Sequence, residues 1–74
     1  MKKAKNHQTE NPLYKALMTR AEADIATAIA SLIVYFDTPT SGASLKEMEH
    51  LLTTISVAEQ RIETLNKHFN NTQI

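Results

Sequence analysis

The sequence contains no cysteine, no tryptophan and only one glycine among its 74 residues. The absence of cysteine excludes a disulfide framework and a thiolate metal site, which often stabilise chains this short. Basic and acidic residues number eight each, so the chain lacks the overall positive charge that gives nucleic-acid-binding proteins their non-specific affinity. Hydrophobic residues make up 42% of the chain, and only two residues are proline. This composition favours a single small helical domain.

Long hydrophobic runs are also absent. The most apolar stretch, IATAIASLIVYF at residues 25–36, has 12 residues, whereas a membrane-spanning helix needs about 20. The lysines at positions 2, 3 and 5 are followed by the polar segment NHQTENP, where a secretory signal would carry its apolar part. We therefore expect no stable membrane insertion and a cytoplasmic location. Residues 1–10 show no apolar periodicity and are predicted to form a disordered basic tail.

Asn11 and Pro12 mark the predicted start of a first helix, because asparagine caps free backbone amides and proline is favoured at the first helical position. From there apolar residues recur at alternating steps of four and three, a pattern typical of a helix with one buried seam. The seam positions are Tyr14, Met18, Ala21, Ile25, Ala28, Leu32 and Tyr35. Pro39 and Gly42 interrupt the pattern, so the first helix is predicted over about residues 12–37 and a loop over residues 38–43.

A second seam of the same kind follows the loop. Ser44, three residues before Glu47, has the spacing of an N-terminal capping box. The seam positions are Met48, Leu51, Ile55, Ala58, Ile62, Leu65 and Phe69. The second helix is predicted over about residues 44–69, with a frayed end at residues 71–74. Because short loops join antiparallel neighbours, we predict an all-α fold, an antiparallel two-helix hairpin whose core is formed by the two facing heptad seams.

Further apolar residues lie beside and opposite these seams. The seams are widened by Leu13, Leu17, Ile29 and Phe36 in the first helix and by Leu45 and Leu52 in the second. A different sector of the first helix carries a second apolar surface, which we predict to bind a partner: Ala23, Ala26, Ala30, Ile33 and Val34. Leaving Ile33 and Val34 fully exposed would forgo about 1.5–3 kcal/mol each. The hairpin is therefore predicted to be completed by a helical partner or by self-association, although the alanines alone could reflect helix propensity.

Residues capable of catalysis or metal binding are not grouped in the sequence. His7, His50 and His68 are far apart, and the latter two do not lie on a seam. A two-helix hairpin also offers no concave site with convergent polar groups. We therefore predict a protein that is not an enzyme and has no catalytic residue, metal site or cofactor. Asp24 can pair with Arg20 one helical turn earlier.

Residues 51–69, LLTTISVAEQRIETLNKHF, resemble the second helix of the small co-chaperones of type III secretion needle subunits. Their pattern is L-L-x-x-I-x-x-A-E-x-x-I-x-x-L-x-x-x-aromatic, and the matching positions are Leu51, Leu52, Ile55, Ala58, Glu59, Ile62, Leu65 and Phe69. The chain also resembles that family in size and two-helix plan. The resemblance implies a cytoplasmic co-chaperone, part of a virulence system, that binds a helical-repeat, TPR-like chaperone and through it helps to keep a needle subunit soluble and monomeric before export.

Two other interpretations stay open. One is a homodimeric four-helix bundle that acts as a regulator or an RNA-binding protein. RNA binding is disfavoured because the chain from Asn11 onward has five lysines and arginines against seven aspartates and glutamates, and no nucleic-acid partner is expected. The other is a helix lying on a membrane surface, but the non-seam side of the first helix lacks the lysine-rich belt typical of such helices.

Overall fold

The computed structural model describes residues 8–38 and 43–70 of the chain. It consists of helix α1, Pro12–Asp37, and helix α2, Ala43–Phe69, which pack against each other. The predicted all-α hairpin is thereby confirmed. Helix α1 has the predicted limits, and α2 begins one residue before the predicted cap, Ser44. The loop residues 39–42, the frayed end at residues 71–74 and His7 lie outside the described residues, so those predictions stay untested.

The start of α1 is capped by the residue that the sequence indicates. Asn11 has an extended backbone, and its side-chain oxygen accepts a hydrogen bond of 2.8 Å from the backbone amide of Leu13. Pro12 occupies the first helical position, where no amide hydrogen is needed. At the other end of α1, the amide of Thr38 donates to the carbonyl of Val34 at 3.0 Å, which satisfies one of the last carbonyls of the helix.

Residues 8–10 form a turn that closes the open end of the hairpin. The amide of Gln8 donates to the carbonyl of Phe69 at 2.8 Å, and the amide of Asn11 donates to the carbonyl of Gln8 at 2.9 Å. Phe69 is the last residue of α2, where helix carbonyls lack partners within the helix. This bond therefore ties the chain ahead of α1 to the end of α2, and residues 8–10, which the sequence assigns to the tail, form a turn in the structure. The rest of the predicted tail, residues 1–7, lies outside the described residues.

The core between the helices is made mainly of alanine. Ala21, Ala28 and Ala58, all seam positions, are only 1–2% exposed. Among the described residues, Tyr14 and Leu32 are the only larger side chains that are buried. Small residues at a contact let two helices approach closely, because the distance between helix axes depends on the side chains between them. The resulting core is thin.

The other seam residues flank this alanine contact and are partly buried, with one exception. The partly buried members are Met18, Ile25, Tyr35, Met48, Leu51, Ile55, Ile62 and Leu65. Phe69 was predicted to belong to the core but is 42% exposed. It lies at the end of α2, beside the first turn of α1, where too little of α1 remains to cover its ring. It lines a shallow groove there together with Leu13 and Leu17.

Replacing a contact alanine by leucine should separate the helices. We expect Ala58→Leu to lower the free energy of unfolding by about 1–3 kcal/mol, because the added methylenes have no space in the packed seam. Urea denaturation followed by circular dichroism measures this. The control is Ala16→Leu at an exposed position of α1, which should change stability by less than about 0.5 kcal/mol. Equal stability of the two variants would contradict a helix contact at Ala58.

Candidate interaction surface

The five predicted partner-binding residues all lie on the outer side of α1. Ala23, Ala26 and Ala30 are exposed, and Ile33 and Val34 are 53% and 62% exposed. At about 100° per residue, these positions are centred opposite the seam. Helix α2 therefore leaves this whole sector open, and the hairpin has an apolar surface that residues 8–38 and 43–70 do not cover.

The ion pair between Asp24 and Arg61 shows which flanks of the two helices lie together. The Asp24 carboxylate is 3.5 Å from the Arg61 guanidinium on α2, so the predicted pairing with Arg20 is wrong. Asp24 directly precedes the seam residue Ile25, and Arg61 directly precedes the seam residue Ile62. Each is therefore rotated by about 100° from that seam residue, and the direction of rotation is the same in both helices. Residues that directly follow a seam position must then share the opposite flank of the hairpin.

A side-chain contact near the open end sets the register along the helix axes. The Tyr14 hydroxyl donates to the side-chain oxygen of Asn66 at 3.2 Å. Since the helices run in opposite directions, each heptad forward in α1 corresponds to one heptad backward in α2. Positions near 22, 29 and 36 of α1 therefore lie level with positions near 59, 52 and 45 of α2.

The flank opposite the ion pair carries an apolar surface near the loop, to which both helices contribute. We call it the loop-end patch, and its members are large apolar side chains with 44–68% exposure: Ile29, Ile33, Phe36, Leu45 and Leu52. Four of them directly follow a seam residue, and the fifth, Leu45, repeats the position of Leu52 one heptad earlier, which places all five on this flank. Ile33 lies one turn after Ile29 on the same stripe of α1.

The loop-end patch is large for a single chain. With about 200 Å² for a fully exposed large side chain, its five members present roughly 550 Å², near the upper end for the largest patch on a monomer. Of these five residues, the sequence pattern predicts a partner surface only at Ile33 and places the other four beside the seams. What shows that these four residues share one surface with Ile33 is their rotation about each helix: in both helices they lie on the side that follows the seam.

A smaller apolar groove lies on the flank of the ion pair, closer to the open end. Leu17 from α1 and Val57 and Leu65 from α2 line a groove of 340 Å³ beside Arg61. The hairpin thus exposes apolar side chains on both flanks, but the larger set is at the loop end. This distribution is typical of a protein that contacts other macromolecules rather than one that encloses a small molecule.

The described residues contain no group of three metal-ligating side chains close enough to hold an ion. His50 and His68 are both exposed. Neither α1 nor α2, over the part of the chain that the structure describes, has an apolar stretch long enough to cross a membrane. The chain matches no protein-family model, and no curated protein or solved structure is significantly similar to it. The exposed apolar surfaces are therefore the features from which a function can be argued.

A double-mutant cycle tests the assignment of the flanks. Asp24→Asn and Arg61→Gln should show a coupling free energy of about 0.2–1 kcal/mol, as expected for an exposed ion pair, and the coupling should fall at high salt. The measurement is urea denaturation of the two single variants and the double variant. Asp24→Asn combined with Arg20→Gln is the control and should show coupling close to zero, since that order of charges is the less favourable one in a helix. Stronger coupling to Arg20 than to Arg61 would contradict the arrangement.

Proposed function

We propose that this protein is a non-enzymatic helical adaptor that binds another helical protein through the exposed apolar side of α1. The observation that carries the proposal is that α2 covers one sector of α1, while Ile29, Ile33, Val34 and Phe36 are 44–68% exposed. Burying such a side chain from full exposure contributes about 1.5–3 kcal/mol, so covering the roughly half that is still exposed would contribute about half of that for each residue. A partner that covers this surface would therefore stabilise a chain whose own core is thin.

Within this class, we propose the role that the resemblance of residues 51–69 implies. The protein would be a cytoplasmic co-chaperone of type III secretion that binds a TPR-like chaperone and helps to keep a needle subunit soluble and monomeric before export. TPR proteins are stacks of helix pairs whose terminal repeats need a cover with a polar outer face. The hairpin has the polarity of such a cover, since Gln60 and Lys67 are exposed on the outer side of α2.

A homodimeric four-helix bundle that acts as a regulator is the second candidate. The observation in its favour is the loop-end patch, to which both helices contribute, as in bundles whose hairpins pack face to face. An RNA-binding form of this candidate has less support, because acidic residues exceed basic ones from Asn11 onward.

Charged substitutions on the outer side of α1 should weaken partner binding. We expect Ile33→Asp and Ala26→Glu each to lower the affinity for a helical-repeat partner at least about tenfold, since each buries a charge in an apolar contact. The full chain is used to capture proteins from its native cell, the partner is identified by mass spectrometry, and affinity is then measured by calorimetry with purified components. Gln60→Glu, on the exposed outer side of α2, is the control and should bind like the unmodified chain.

Capture of a helical-repeat protein by the unmodified chain, and its loss with both α1 variants, would support the proposal. Equal capture by all variants would contradict binding through α1. A concentration-dependent homodimer that captures no other protein would favour the second candidate instead.

A further inference from the structure

The flank that holds the loop-end patch changes from apolar to acidic toward the open end of the hairpin. Ile29 and Leu52 lie level with each other along the hairpin axis. One heptad closer to the open end, about 10 Å along the axis, the equivalent positions of α1 and α2 are Glu22 and Glu59. Both glutamates are exposed. Glu63 lies one turn beyond Glu59 on the same side of α2. This flank therefore consists of an apolar half and an acidic half.

These glutamates have no cationic partner in the described part of the chain. The ion pairs found there join Lys15 to Glu10 and Arg61 to Asp24, each at 3.5 Å. Lys15 precedes Glu22 by one heptad on this flank, but its ammonium group lies beside Glu10. Within the described residues, no cation neutralises Glu22 and Glu59, and two like charges on one flank favour a cationic ligand.

The surface between the two rows of side chains is also apolar. Ile25, Met48 and Ile55 are partly exposed, and all three lie on the side of their seam that faces this flank. Unbranched methionine adapts to different contacting surfaces. A third helix on this surface would touch α1 and α2 at once, as an amphipathic helix does when it binds in an apolar groove.

We propose that this flank binds a basic amphipathic helix of a partner protein. The apolar stripe of that helix packs on the loop-end patch, and lysine or arginine side chains about one heptad further along pair with Glu22 and Glu59. The inference rests on the proposed adaptor function and specifies the chemistry of the partner. It also assigns part of the contact to α2, which the proposed function does not require.

A second copy of the chain fits this flank less well. The loop-end patch presents roughly 550 Å², whereas a stable interface buries about 800 Å² on each partner. Extending the contact past the patch would place Glu22 and Glu59 of one copy against the apolar or acidic residues of the other, which leaves charges unpaired. A basic helix can use both halves of the flank.

Synthetic helical peptides test the proposal with the full chain. Three peptides of about 18 residues, roughly 27 Å long, share one apolar stripe and carry either lysine, glutamine or glutamate beside it. Fluorescence anisotropy should show that the lysine peptide binds at least about tenfold more tightly than the glutamate peptide at about 50 mM salt, and that this preference shrinks at about 300 mM. Leu52→Asp should reduce the binding of all three peptides.

Glu59→Lys should remove or reverse the preference for the lysine peptide. Glu47→Lys makes the same change in net charge at an exposed residue that directly precedes the seam residue Met48 and so lies on the flank of the ion pair, and it should leave the preference intact. Equal affinity for the lysine, glutamine and glutamate peptides would overturn the proposal. So would the absence of peptide binding by a monomeric chain. Self-association that Leu52→Asp abolishes would assign the flank to a second copy and would overturn it as well. Leu52 and Glu59 are on α2, whereas the capture experiment changes Ile33 and Ala26 on α1. A negative peptide result would therefore contradict the basic-helix proposal without changing the capture result that tests the adaptor function.

Discussion

The close contact of α1 and α2 through alanine is the feature on which the rest of the structure depends. Ala21, Ala28 and Ala58 are almost completely buried, but each removes little apolar area from water. Because alanines form much of the contact, most of the larger seam side chains are only partly buried, and the isoleucines, leucines and phenylalanine that follow the seam lie exposed on its flank. The thin core and the large exposed apolar surface are therefore two results of one packing arrangement.

The antiparallel arrangement then gives the two flanks different chemistry. Residues that precede the seam form one flank, where Asp24 meets Arg61. Residues that follow the seam form the other, which is apolar near the loop and acidic at Glu22 and Glu59. A hairpin with distinct flanks can bind a partner in one orientation, because the apolar and charged parts of the partner must both match. This property suits an adaptor that takes one place in an assembly.

Most of the fold could be predicted from the sequence because its signals are local. The cap at Asn11 and the heptad steps depend only on neighbouring residues, and α1 has the predicted limits. The partner of Asp24 could not be predicted, since the cross-helix register is a tertiary property. The exposure of Phe69 depends on where α1 begins relative to the end of α2. The loop-end patch also needs the relative rotation of the helices, which no single helix pattern contains.

The proposal that the hairpin needs a partner to cover its exposed apolar surface is tested most directly by the stability of the isolated chain. The measurement is urea denaturation of the isolated chain over a wide range of protein concentration, with sedimentation velocity to define its mass. The expected result is a monomer with an unfolding free energy below about 5 kcal/mol, the lower end for natural domains, that rises when the chain associates or a partner is added. A monomer well above that value, with stability independent of concentration and of any partner, would contradict the claim.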